Sequence, residues 1–127
     1  MPPKRILVVD DDPDHLLMCK LIFERRQFVV LAMAGCDPLD NFVEEVRMFQ
    51  PDLIFIDQVM PVVCGQDAIK ALRLQPDLHM IPIVYFSAHA ELEELTKQVG
   101  ADDFIKKPFL IDHLLALARK YFDLKAA

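Results

Sequence analysis

"RILVVDDDPDH", residues 5–15, sets the apolar run Ile6 to Val9 directly against the aspartates Asp10, Asp11 and Asp12. A short apolar run that stops at turn-forming residues reads as a buried strand. Asp12 before Pro13 reads as a helix start, an N-cap followed by a residue whose φ already suits the first turn. The stretch is therefore strand, turn and helix, with its acids in the turn. Two carboxylates about 4 Å apart repel by roughly 4 kcal/mol at an effective dielectric of about 20. Capping accounts for Asp12. Asp10 and Asp11 need another reason, and a hard divalent cation would supply it: magnesium is commonly held by one or two carboxylates together with phosphate oxygens and water.

Outward from this stretch the same alternation continues. Apolar runs recur at 28–33, 52–57, 81–87 and 103–107. Between them lie segments with helical spacing. The first spans Pro13 to Arg26, with Leu17 and Leu21 among its apolar positions, and the second follows Asp37-Pro38, which repeats the start signal, to Met48. The third runs from Gly65 or Gln66 to Leu74, and the fourth from Glu91 to Val99, with Gly100 as its stop. The last follows Pro108-Phe109 and reaches Leu124. Alternation of this kind predicts a parallel sheet covered on both faces. The fold class is α/β, a doubly wound five-stranded parallel sheet, and residues 1–127 read as one domain.

Composition narrows the function. With 54% hydrophobic and 27% charged residues the chain is of ordinary globular type, and a net charge of −6 argues against a nucleic-acid surface. Arg119, Lys120 and Lys125 near the end are interrupted by Tyr121, Phe122 and Asp123, as on a solvated helix face. Cys19, Cys36 and Cys64 have neither zinc-like nor CxxC spacing, which fits a reducing compartment. No stretch has the roughly 18 apolar residues of a membrane helix. A cytoplasmic protein with no membrane contact is the expectation.

In a parallel sheet the carboxyl ends of all strands share one edge, where ligands bind. Asp10 and Asp11 lie there after the first strand, Asp57 ends the third, Ser87 the fourth, and Lys106-Lys107-Pro108 the fifth. Asp57 can be read as a surface turn residue, or as a nucleophile towards phosphorus beside a metal. Lys107, held at the strand end by Pro108, would neutralise phosphoryl oxygens, and Ser87 would donate a hydrogen bond to one. Each of these two, taken singly, also has a structural reading.

"ILVVDDD", "PDLIFIDQVMPVVCG", "IPIVYFSA" and "GADDFIKKPF" resemble, in order and spacing, the signatures of the receiver domain of two-component response regulators. The resemblance covers nearly the whole chain and implies the flavodoxin-like receiver fold. It also implies that Asp57 is the phosphoacceptor, and that Asp10, Asp11, Asp57 and the backbone carbonyl of Val59 hold Mg2+ or Mn2+. Ser87 and Lys107, favoured over Lys106 by the match to "KPF", would contact the phosphoryl group, with the Lys107–Pro108 bond cis. Phe104 falls at the aromatic switch position, which turns inward when the phosphoryl group engages Ser87; an apolar strand residue also has a plain core reading. The signal would be read on the face made by the fourth helix, fifth strand and fifth helix.

Gln58, Cys64 and Ser87 depart from the commonest pattern, but none removes a catalytic group. Cys64 reads as an ordinary loop thiol. Val59 and His89 stand where the family sets phosphoryl lifetime, and an apolar Val59 offers no hydrogen bond to attacking water. The expected function is a phosphorylation-operated switch charged by a histidine kinase or histidine phosphotransfer protein, with a downstream effector or a self-dimer as its output. It is not an enzyme acting on an external substrate. The competing reading is a phosphorylation-independent interaction module. Whether the chain stands alone or belongs to a larger regulator or hybrid kinase is open.

Overall fold

The computed structural model describes residues 2–58, 65–87, 100–107 and 111–126, with residues 87 and 123–126 described by backbone alone. Five strands, β1 (Arg5–Val9), β2 (Val29–Met33), β3 (Leu53–Asp57), β4 (Ile83–Ser87) and β5 (Asp103–Lys106), form one parallel sheet in the order β2-β1-β3-β4-β5. Helices α1 (Pro13–Glu24), α2 (Leu39–Phe49), α3 (Gly65–Arg73) and α4 (Ile111–Ala126) cover it. The helix expected at 91–99 lies outside the described residues, as do Val59, Cys64, His89 and the Lys107–Pro108 bond.

Strand pleating divides the core in two. Ile6, Val8, Leu53, Phe55, Val84, Phe86 and Ile105 face one side. There they meet Leu16, Cys19, Ile22 and Phe23 of α1 and Leu114, Leu115, Leu117, Ala118 and Phe122 of α4. Leu7, Val9, Ile54, Ile56, Ile83 and Tyr85 face the other, against Phe42, Val43 and Val46 of α2 and Ala68, Ile69 and Leu72 of α3. The central strands are apolar on both faces, which is why they read as continuous runs.

Two local expectations are corrected, and packing selects which apolar row of α1 is buried. The buried stripe of α1 is Leu16, Cys19, Ile22 and Phe23, whereas Leu17 and Leu21 are 56% and 51% exposed. The helix also ends earlier than Arg26, because Gln27 takes a left-handed φ of 68° and turns the chain into β2. Asp37 does not cap α2: Pro38 itself occupies the N-cap, with no side-chain hydrogen bond there. By contrast Asp12 caps α1 as expected, its carboxylate accepting from the Asp14 and His15 amides at 3.0 and 3.4 Å. Leu114, Leu115, Leu117, Ala118 and Phe122 of α4 are buried against the sheet, whereas Ile111 at its start is half exposed.

The strand order reverses between β1 and β3: β1 leads to β2 on one side, while β3 lies on the other. A crevice opens at such a point, at the carboxyl ends of the two strands. Asp10 follows β1 and Asp57 ends β3, so the topology places both at that crevice.

Candidate active site

Asp10 is fully buried and held from three sides. Its Oδ1 accepts the Asp12 amide at 3.0 Å; its Oδ2 accepts from His15 Nδ1 and from Lys107 Nζ, the latter at 3.3 Å. Lys107 reaches Asp57 as well, Nζ to Oδ2 at 3.4 Å. One ammonium therefore bridges the ends of β1 and β3 from the end of β5. Its neighbour Lys106 is exposed. The same Nζ stands 5.2 Å from the centre of the Phe86 ring, whose edge-on partner at 5.0 Å is the His15 imidazole.

Carboxylate oxygens of Asp10, Asp11 and Asp57 lie within 4.8 Å of one another. Asp11 is exposed and Asp57 nearly buried, so the acid triplet divides its work: Asp10 inward, Asp11 to the rim, Asp12 to the helix. Burial and then the Asp10 charge push the Asp57 carboxyl up to about 6, with Lys107 pulling the other way. Burial would raise Asp10 too. The His15 bond, the Asp12 amide and the Lys107 charge outweigh it, and Asp10 is held well below the usual carboxylate range. Two interacting acids with opposed shifts are a common mark of a functional site. Burial followed by the Asp10 charge also pushes Cys19 up to about 12, so that thiol is inert.

The donor set fits a hard cation. All three side chains offer carboxylate oxygen, Asp11 faces solvent for entry, and the charge that lifts Asp57 is the charge a divalent ion would neutralise. Gly65 shapes the same crevice. A β-carbon there would collide with the Asp57 carbonyl oxygen and touch the Tyr85 ring at 3.0 Å, so only glycine lets α3 begin this close to the end of β3.

The structure thus brings together Asp10, Asp11, Asp57 and Lys107. Ser87 ends β4 in register with Lys106, and Phe104 lies in β5 opposite Tyr85, half-buried against the α2 and α3 core. Val59 is outside the described residues. His15 was not foreseen; its only sequence signal is its place in the first turn after the acids.

The family model of the response regulator receiver domain matches residues 6–119. The chain belongs to that family. The transcriptional regulatory protein CpxR of Escherichia coli is 35% identical over 118 residues, covering 91% of this chain and 47% of CpxR. The chain spans about half or less of the length of the curated relatives it matches. Chemotaxis protein CheY4 of Vibrio cholerae superposes with a TM-score of 0.84 at 25% identity, covering 94% of this chain and 98% of that one. The receiver domain of sensor histidine kinase PA1611 from Pseudomonas aeruginosa superposes at 0.81, 23% identical, covering 94% and 97%; that structure has a magnesium ion coordinated in its active-site cleft. Among the described residues no helix is long and apolar enough to cross a membrane.

Proposed function

We propose that this chain is a phosphorylation-operated signalling switch, with residues 1–127 acting as a single receiver domain and Asp57 as its phosphoacceptor. One observation carries the reading. Asp10, Asp11 and Asp57 offer oxygens within 4.8 Å of one another while Lys107 Nζ stands 3.4 Å from Asp57. A carboxylate flanked by two acids and one ammonium is a poor resting ion pair, but it suits a group that is to receive phosphorus.

An Asp57 oxygen attacks the phosphorus of a phosphohistidine on a kinase or phosphotransfer protein. The O–P bond forms as the N–P bond breaks, and the histidine leaves with the electron pair. Lys107 turns from the Asp57 carboxylate to a phosphoryl oxygen and offsets its charge. Ser87 donates to another, from the end of the neighbouring strand. Asp10, Asp11 and Asp57, with the Val59 carbonyl that the family resemblance adds, would hold Mg2+ or Mn2+, which would neutralise oxygens of the transferring group. The domain catalyses its own phosphorylation and dephosphorylation and turns over no external metabolite.

Output follows from the hydroxyl's engagement. Ser87 drawn to the phosphoryl group leaves room for Phe104 to turn inward, and effectors that bind the two arrangements unequally read the change. The reading face takes in β5 and α4, where Asp103 already ties β5 to Lys120 at 2.7 Å and to the Tyr121 hydroxyl at 3.1 Å; the helix expected to complete it, at 91–99, lies outside the described residues. An effector or a second copy docks there; nucleic acid and membrane do not. A cytoplasmic site of action accords with this chemistry. Titration with Mg2+ and fluoroberyllate, followed by backbone NMR, tests the reading. Saturable shifts at Asp57, Ser87, Phe104 and Lys107, absent in Asp57→Asn, are expected. No shifts at any fluoroberyllate concentration would contradict it and leave a phosphorylation-independent interaction module.

A further inference from the structure

His15 lies outside every role assigned above, yet it joins three parts of the site. Its backbone is fixed in the first turn of α1, where its amide donates to Asp12 at 3.4 Å. Its ring stands edge-on to Phe86 of β4 at 5.0 Å. Its Nδ1 meets Asp10 Oδ2, the carboxylate oxygen that Lys107 also reaches. An ionised carboxylate only accepts, so the imidazole must carry its hydrogen on Nδ1 to make this bond.

The two donors to Oδ2 differ in what else they must do. Lys107 is shared with Asp57 and, on the function proposed above, is committed to the phosphoryl group during transfer. The Asp12 amide holds only Oδ1. We infer that His15 is a positioning residue for Asp10, the fixed donor that keeps this carboxylate aimed into the metal site when Lys107 turns to phosphate. Ligating carboxylates are themselves oriented by hydrogen bonds, and loss of such an outer partner typically weakens metal binding by about 10–100-fold. A histidine donor reaching one of the acids from the helix that follows them is that arrangement. Phe86 limits the ring's freedom to leave it.

The inference rests on the proposed function, and the test separates the two. Calorimetry would measure the Mg2+ dissociation constant of the full chain as wild type, His15→Leu, which fills the space without a donor, and His15→Gln, which restores one. His15→Leu should bind about 10-fold more weakly, with His15→Gln recovering most of the loss. Equal affinity in all three would overturn the inference alone. So would equal weakening in both variants, because the loss would then follow the ring's packing and not its hydrogen bond. Wild type that binds no Mg2+ would overturn the proposed function and this inference with it. Should His15→Leu fail to fold, ring-nitrogen NMR of the wild type decides. Nδ1 bearing hydrogen supports the bond to Asp10; a bare Nδ1 with hydrogen on Nε2 alone contradicts it.

Discussion

Asp57 pays for its position with a raised pKa. Its carboxyl moves from 3.8 to about 6, because burial and the Asp10 charge disfavour the ion. Between those two values the folded chain holds a proton that the unfolded chain has released, so stability falls as pH rises through the window. Asp57→Asn should therefore stabilise the metal-free protein at pH 7 by roughly 2–3 kcal/mol, and by almost nothing near pH 3.5. Urea unfolding at the two pH values measures this. Asp10 works in the opposite sense: its depressed carboxyl contributes stability above the usual carboxylate range and loses it as pH falls below. On the proposed function the deciding cation for catalysis is Lys107, whose Nζ lies 3.4 Å from Asp57. Lys107→Met should slow phosphorylation by a small-molecule donor on the order of 100-fold, while Lys106→Met, at an exposed position, should stay close to wild type. Both aspartates and the lysine were legible because strand ends announce themselves by an abrupt change from apolar to charged. His15 was not legible, because spacing along the chain does not say that an imidazole from the next element turns back onto the acid.

At the level of elements, α1 shows where periodicity stops being informative. Leu16, Leu17, Met18, Cys19, Leu21, Ile22 and Phe23 make the helix apolar over most of its circumference, so both the 17–21 row and the 16–19–23 row fit helical spacing. Only packing against the sheet selects the second. Ile22→Ala should cost about 2–4 kcal/mol by leaving a cavity beneath α1, whereas Leu21→Ser should change stability by no more than about 0.5 kcal/mol. Denaturant midpoints of the two variants check the assignment. Strand identity was easier, since short apolar runs bounded by charge fit few alternatives, although the starts of β3 and β4 fall one and two residues inside the runs seen in sequence. The start of α2 was misread because Asp-Pro resembles an N-cap followed by the first helical position, and here proline has moved back into the cap itself. Gly65 makes its own prediction. Gly65→Ala must push α3 away from the Asp57 carbonyl, and should lower stability by about 2 kcal/mol or more and impair phosphorylation as well. Thermal melts alongside phosphorylation rates would show both losses.

Across the whole molecule, function depends on strand order more than on any one motif. The order β2-β1-β3-β4-β5 puts β1 beside β3, so acids separated by more than forty residues become neighbours, and β5 then delivers Lys107 over the edge to both. Parallel pairing with right-handed crossovers leaves few orders open, all with the strands' carboxyl ends on one edge, which is why the doubly wound class and the rim of polar residues could be foreseen from alternation while the strand order itself could not. Individual side-chain directions could not, because pleat and packing set them. The central claim is that this rim accepts phosphorus on Asp57, and intact mass after incubation with a small acyl phosphate tests it most directly. With Mg2+ present, wild type should gain one phosphoryl group, lose the gain when the metal is chelated beforehand, and show none in Asp57→Asn. A gain that persists in Asp57→Asn, or wild type that stays unmodified with the metal and donor both in excess, would contradict it.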